Sequence, residues 1–171
     1  MNQPFTFLSH SPDDTRRFAA ELAERLPKHA VLALHGELGS GKTCFVQGLA
    51  LALGIRSPIT SPTFTIISEY RGTRPFFHLD FYRLRTPQEI LALGLDEYLE
   101  AEGIKAIEWA ERADDLLPPD TWHVYLRSLE NPDEREIMIV PPRCRRNEGA
   151  HFTSPKVADT PHETTESAAS T

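Results

Sequence analysis

Gly36-Glu37-Leu38-Gly39-Ser40-Gly41-Lys42-Thr43 follows the order G-x-x-x-x-G-K-[ST]. Residues of these types at this spacing can grip a nucleoside triphosphate. The glycines let the backbone curl with its N–H groups turned inward, where they hold the α- and β-phosphates. Lys42 then reaches the β- and γ-phosphates, and the Thr43 hydroxyl is placed to bind Mg²⁺. A helix beginning at Lys42 adds a favourable field for the anion at its N-terminus. The loop by itself hydrolyses nothing. A carboxylate on the metal side and a group that orients water must come from elsewhere in the fold.

In open α/β sheets such groups sit at the C-terminal ends of strands beside the loop. Asp80, after the apolar run ending at Leu79, and Glu108, after Ile104-Lys105-Ala106-Ile107, both meet that condition. His78 and Tyr82 flank Asp80, but the histidines show no metal-ligand spacing along the chain, and His78 reads as a hydrogen-bonded structural residue. Trp109 is either a packed aromatic or a partner-facing residue, and Arg83 and Arg85 are either surface charges or phosphate contacts. Ser61-Pro62-Thr63-Phe64 is either a connecting loop or a segment that senses nucleotide through the Thr63 hydroxyl.

The elements that must position these groups follow from local pattern. Ser11-Pro12-Asp13-Asp14 is a helix start, with Phe18, Leu22 and Leu26 forming an apolar stripe that Pro27 ends. Ala30 to Leu34 is a buried strand leading into Gly36, and a second helix runs from Lys42 to about Leu53, closed by Gly54. Thr63–Tyr70 and Pro75–Leu79 read as strands around a turn at 71–74, which makes them a hairpin. Thr86-Pro87-Gln88-Glu89 opens another helix with a capping box. After Pro118-Pro119, Trp122–Leu129 and Glu136–Val140 are two closing strands. The pattern predicts an α/β fold of the P-loop NTPase type: three layers around a central, mostly parallel sheet with antiparallel additions.

Composition sets the boundaries. The 171 residues include 25 Asp+Glu against 18 Lys+Arg, a net charge of -7, which argues against a protein that coats nucleic-acid backbone. The two cysteines, Cys44 in the loop motif and Cys144 in a polar segment, do not make a disulfide framework and fit a reducing compartment; Cys44 reads as a small buried hydrophobe. Met1 to His10 lacks the basic and apolar runs of a leader, and no stretch approaches the ~18 apolar residues of a membrane span, so the expected location is the cytoplasm. Residues 1–140 are expected to form one ATPase domain. Residues 141–171, rich in Ser, Thr, Ala, Pro, Arg and Glu, are expected to form a disordered tail.

Gly36 to Thr43, Ser61 to Phe64, His78-Leu79-Asp80-Phe81-Tyr82-Arg83-Leu84 and Ile107-Glu108-Trp109, in this order, resemble the TsaE (YjeE) family of bacterial ATPases over roughly Ser11 to Val140. The resemblance implies a Mg²⁺-dependent ATPase required for threonylcarbamoyladenosine modification of tRNA. It implies partnership with the TsaB and TsaD subunits and contact with tRNA only through that complex. Carried over, Glu37, Leu38, Gly39, Ser40, Gly41, Lys42, Thr43, Cys44 and Thr63 would contact ATP. Thr43, Glu108 and Asp80 would serve the Mg²⁺, and Asp80, Glu108 and Lys42 would carry the chemistry. Cys44 stands where the family often has a second Thr, and Ala110 where it often has Pro; neither position supplies an indispensable group.

Other classes share the loop. A small kinase would need an acceptor pocket and usually an arginine-rich lid, for which only Arg83 and Arg85 are available. A guanine-nucleotide switch would need an Asn-Lys-x-Asp stretch, which is absent. A subunit that holds ATP without cleaving it would look the same in sequence.

Overall fold

The computed structural model describes residues 3–142. The segment from 143 to 171, including Cys144 and nearly all of the expected tail, lies outside the described residues.

β2 (Ala30–His35) is buried at every position and forms the centre of a seven-stranded sheet. It pairs in parallel with β5 (Ile104–Glu108) on one side and β6 (Trp122–Ser128) on the other. β4 (Pro75–Asp80) extends the parallel set beyond β5. Antiparallel strands finish both edges: β3 (Ile67–Arg71) beside β4, and β7 (Arg135–Val140) then β1 (Phe5–Ser9) beyond β6. The spatial order is β1-β7-β6-β2-β5-β4-β3.

Alternation along β2 divides the interior in two. Leu32 and Leu34 join α1 (Pro12–Arg25) and α2 (Lys42–Ala52) on one face through Ala19, Leu22, Phe45 and Leu49. Val31 and Ala33 face the opposite side, where Phe81, Ile90, Leu95 and Leu99 close over them from the β4–β5 connection. That connection contains two short helices, α3 (Pro87–Leu91) and α4 (Leu95–Glu100). A parallel strand covered on both faces must be apolar throughout, which is why β2 shows no polar alternation before His35. The helices on one face cross closely at Gly48, where a Cβ would lie 2.3 Å from the Arg16 carbonyl oxygen.

The helix starts are built as their residues require. Ser11 Oγ accepts from the Asp14 N–H, and Thr86 Oγ1 from the Glu89 N–H. The reciprocal carboxylates reach one residue further back than in a capping box: Asp14 accepts from the His10 N–H and Glu89 from the Arg85 N–H.

Three features differ from the sequence expectation. β1 is an additional edge strand, held by Phe7 stacked on Phe18 with ring centroids 4.2 Å apart. β3 begins at Ile67 rather than Thr63, because Ile66 takes a left-handed φ of 68° and the preceding residues turn back towards Asp80. Cys44 is half-buried, with its thiol donating to the Pro12 carbonyl at 3.2 Å.

Candidate functional site

The loop between β2 and α2 turns through glycines whose backbone other residues resist. Gly36, Gly39 and Gly41 have φ of 143°, 79° and 99°. At Gly36 a Cβ would also meet the Leu126 carbonyl oxygen at 2.3 Å. The loop therefore presents backbone where a larger residue would push β6 away.

Lys42 is almost fully buried at the start of α2, and its Nζ donates to the carbonyls of Gly36 at 2.7 Å and Glu37 at 2.9 Å. The same ammonium lies 3.9 Å from the centroid of the Trp109 ring. Burial pushes its pKa down, against the opposing fields of Glu108, Glu111 and Asp80. Trp109 itself takes a left-handed φ of 58°, which turns its ring under the lysine at the end of β5.

The carboxylates come from two neighbouring parallel strands in matching register, Asp80 ending β4 and Glu108 ending β5. Thr43 Oγ1 donates to Glu108 Oε1 at 2.8 Å, with Oε2 at 3.1 Å. His78, wholly buried on β4, places Nε2 2.8 Å from the same Oε1. Asp80 is gripped differently. Its Oδ2 accepts from Ser61 Oγ and from Thr63 Oγ1 at 3.0 Å, while Oδ1 accepts from the Tyr82 N–H at 2.9 Å. The Ser61–Phe64 loop is therefore fastened to one carboxylate and the phosphate loop to the other.

A cleft of about 370 Å³ brings Leu38, Gly39, Gly41, Lys42, Thr43, Cys44, Ser61, Thr63, Asp80 and Glu108 together with Tyr82 and Trp109. Glu37 and Ser40 instead line a cavity of about 350 Å³ on the other side of the loop, with His35, Tyr125 and Arg127. Arg83 lies outside the cleft lining, with its guanidinium 4.0 Å above the Phe64 ring, and the Arg85 N–H serves the α3 cap.

Two groups near the loop escape sequence reasoning. Arg135 on β7 donates from Nη2 to the Gly39 carbonyl at 3.3 Å. Glu111 lies close enough to Lys42 for each to shift the other; burial pushes the Glu111 carboxyl up, but His35, its own backbone N–H and Lys42 together hold it below the ordinary glutamate value. Nothing local in sequence signals either contact, since both join residues distant along the chain.

The donors in the cleft fit a hard cation. Thr43, Glu108 and Asp80 offer oxygen only, and the buried carboxylates stand beside a cationic loop that fits phosphate.

Comparison with known proteins identifies the family. The family model described as threonylcarbamoyl adenosine biosynthesis protein TsaE matches residues 9–137. The chain belongs to the TsaE family. A tRNA threonylcarbamoyladenosine biosynthesis protein TsaE from Treponema pallidum is 41% identical over 132 residues, covering 77% of this chain and 97% of that protein. The TsaE of a Nostoc species is 43% identical over 137 residues, covering 77% of this chain and 83% of that protein. Among solved structures, the crystal structure of Bacillus subtilis YdiB superposes with a TM-score of 0.70 at 34% identity, covering 82% of this chain and 87% of that one. The TsaE match and the YdiB likeness agree with the P-loop-type α/β architecture. Among the described residues, no helix is long and apolar enough to cross a membrane.

Proposed function

We propose that this TsaE-family chain is a Mg²⁺-dependent ATPase that serves threonylcarbamoyladenosine formation in tRNA. It works in the cytoplasm with the TsaB and TsaD subunits and meets tRNA only through them. The observation that carries the reading is the 2.8 Å hydrogen bond from Thr43 to Glu108 in the cleft that also contains Lys42. It joins the residue after the loop lysine to a carboxylate on the strand directly beside the loop strand, the position from which a metal on the β- and γ-phosphates is held.

Thr43, Glu108 and Asp80 are the residues that would hold Mg²⁺. The ion supplies charge neutralisation on the phosphates when bound. Lys42 exchanges its two loop carbonyls for phosphate oxygens and remains over the Trp109 face. Asp80, held by Ser61, Thr63 and the Tyr82 N–H, orients the attacking water. The water forms a bond to the γ-phosphorus as the bond to the ADP oxygen breaks. Because Ser61 and Thr63 bond Asp80, the loop they belong to responds to events at the γ-phosphate. His78 fixes the Glu108 carboxylate through its Nε2 contact and is a positioning residue.

Assays of phosphate release with and without Mg²⁺ and a TsaB–TsaD complex test this reading. Weak basal turnover that requires Mg²⁺ and rises with the complex is expected. Equal rates with and without the complex would refute the partner coupling. Labelled phosphate appearing on a metabolite instead of as inorganic phosphate would make the chain a kinase. Depletion of the chain is expected to lower the modified nucleoside in bulk tRNA.

A further inference from the structure

A second polar cluster borders the loop on the β6 side and takes no part in the chemistry above. His35 ends β2 immediately before Gly36, and His123 lies on the adjacent β6. Both are nearly fully buried, and His35 Nε2 is 2.9 Å from His123 Nδ1. The contact directs an in-plane lone pair or N–H of each ring at the other. Asp114, on the short turn after β5, reaches the same point from solvent: one ligand atom from each of His35, His123 and Asp114 lies within 4.8 Å of the others. Glu111 Oε2 lies 3.6 Å from the remaining His35 nitrogen, Nδ1. The Tyr125 ring, stacked on His35 at 4.6 Å between centroids, limits its rotation.

We propose that His35, His123 and Asp114 form a binding site for one divalent transition-metal ion of the zinc class. Two imidazoles are borderline donors that, with one carboxylate, suit Zn²⁺, Co²⁺ or Ni²⁺ and discriminate against Mg²⁺, which prefers oxygen throughout. Three protein ligands leave a fourth position for water or another group. Binding puts the ion in place of the proton shared between the rings, that proton shifting to the outer nitrogen of the ring that carried it, and spreads the two facing nitrogens to about 3.3 Å, as tetrahedral Zn–N bonds of about 2.0–2.1 Å require. Glu111 occupies the place of an outer carboxylate, which orients a metal-bound imidazole and raises its basicity. Because Asp114 is exposed, the ion has a path in from solvent. The donor types keep this site distinct from the all-oxygen set at Thr43, Glu108 and Asp80.

The test is a Co²⁺ titration of the full chain in excess Mg²⁺, read by visible d–d absorption and followed by Zn²⁺ displacement. One equivalent of Co²⁺ should bind with a spectrum of nitrogen and oxygen ligands and leave when Zn²⁺ is added. His123→Gln should abolish the signal. Asp114→Asn, a surface change that leaves the fold intact, should weaken binding roughly tenfold or more. Cys144→Ser and Glu108→Gln should bind as the parent does. Failure of the parent chain to take up Co²⁺ or Zn²⁺ would overturn the proposal. So would uptake with unchanged affinity in Asp114→Asn, or a thiolate charge-transfer band that Cys144→Ser removes. None of these readouts depends on ATP turnover, so the site can fail without touching the nucleotide reading.

Discussion

The phosphate loop separates two buried polar clusters of different chemistry. On the β5 side, the Thr43 hydroxyl and the His78 imidazole share the Glu108 oxygens, and Asp80 on the next strand accepts from Ser61, Thr63 and the Tyr82 N–H. On the β6 side, two imidazoles face each other, with Glu111 and Asp114 behind them. Asp80, Glu108 and His35 end their parallel strands, whereas His123 is the second residue of β6 and meets His35 because β6 begins level with the middle of β2. The two clusters differ in what surrounds them. The carboxylate side opens into the cleft beside Lys42, whereas on the histidine side the two rings hydrogen-bond each other and the Tyr125 ring stacks on His35. One fold edge therefore carries oxygen donors beside the loop lysine on one side and paired imidazole nitrogens on the other. Glu111, close to both His35 and Lys42, is the residue through which the two can feel each other.

The contrast is broken most severely at Lys42. Lys42→Ala should lower kcat/KM for ATP by about a thousandfold, or about 4 kcal/mol of transition-state stabilisation, with nucleotide affinity falling as well. Calorimetric titration alongside turnover checks both parts. His78→Asn removes the imidazole that fixes Glu108 and should lower kcat about tenfold while raising the Mg²⁺ concentration needed for half-maximal rate, with ATP affinity kept. Thermal unfolding of the same variant separates this from general loss of stability, because a merely structural role would move the midpoint without shifting the Mg²⁺ dependence. His123→Gln, on the other side of the loop, should change ATP turnover less than about twofold, well below the His78 effect. A larger loss would join the two clusters into one functional unit.

The smallest effect concerns a cation at the opposite end of the sheet. Lys105 is fully buried on β5, and burial pushes its pKa down to about 8. The unfolded chain keeps this amine protonated up to its ordinary value of 10.5, so between about 8 and 10.5 it binds more protons than the folded chain. Stability from this group therefore rises with pH across that window and is lowest below it. Lys105→Met should remove a rise on the order of 1 kcal/mol from the stability–pH curve, measured by urea unfolding between those limits.

Much of this arrangement is legible from residues close in sequence. The glycine pattern between an apolar strand and a helix marks the loop, and carboxylates just after apolar runs mark Asp80 and Glu108. What is not legible depends on long-range pairing. His35 and His123 are 88 positions apart, and only the parallel pairing of β2 with β6 brings them together. β1 is short and half-exposed, with too little alternating apolar pattern to stand out until Phe5 and Phe7 meet Phe18. β3 begins late because the Ser61 and Thr63 hydroxyls bind Asp80, a tertiary contact that overrides the β-propensity of Thr63 to Ile66.

The most direct measurement is a single turnover of bound ATP by the Glu108→Gln chain, in saturating Mg²⁺ with TsaB and TsaD present. The amide keeps the shape and a hydrogen-bonding oxygen but removes the charge. ATP should remain bound and be cleaved about a hundredfold or more slowly than by the parent chain. Cleavage at the parent rate would contradict the placing of Mg²⁺ between Thr43 and Glu108, and with it the account of the cleft.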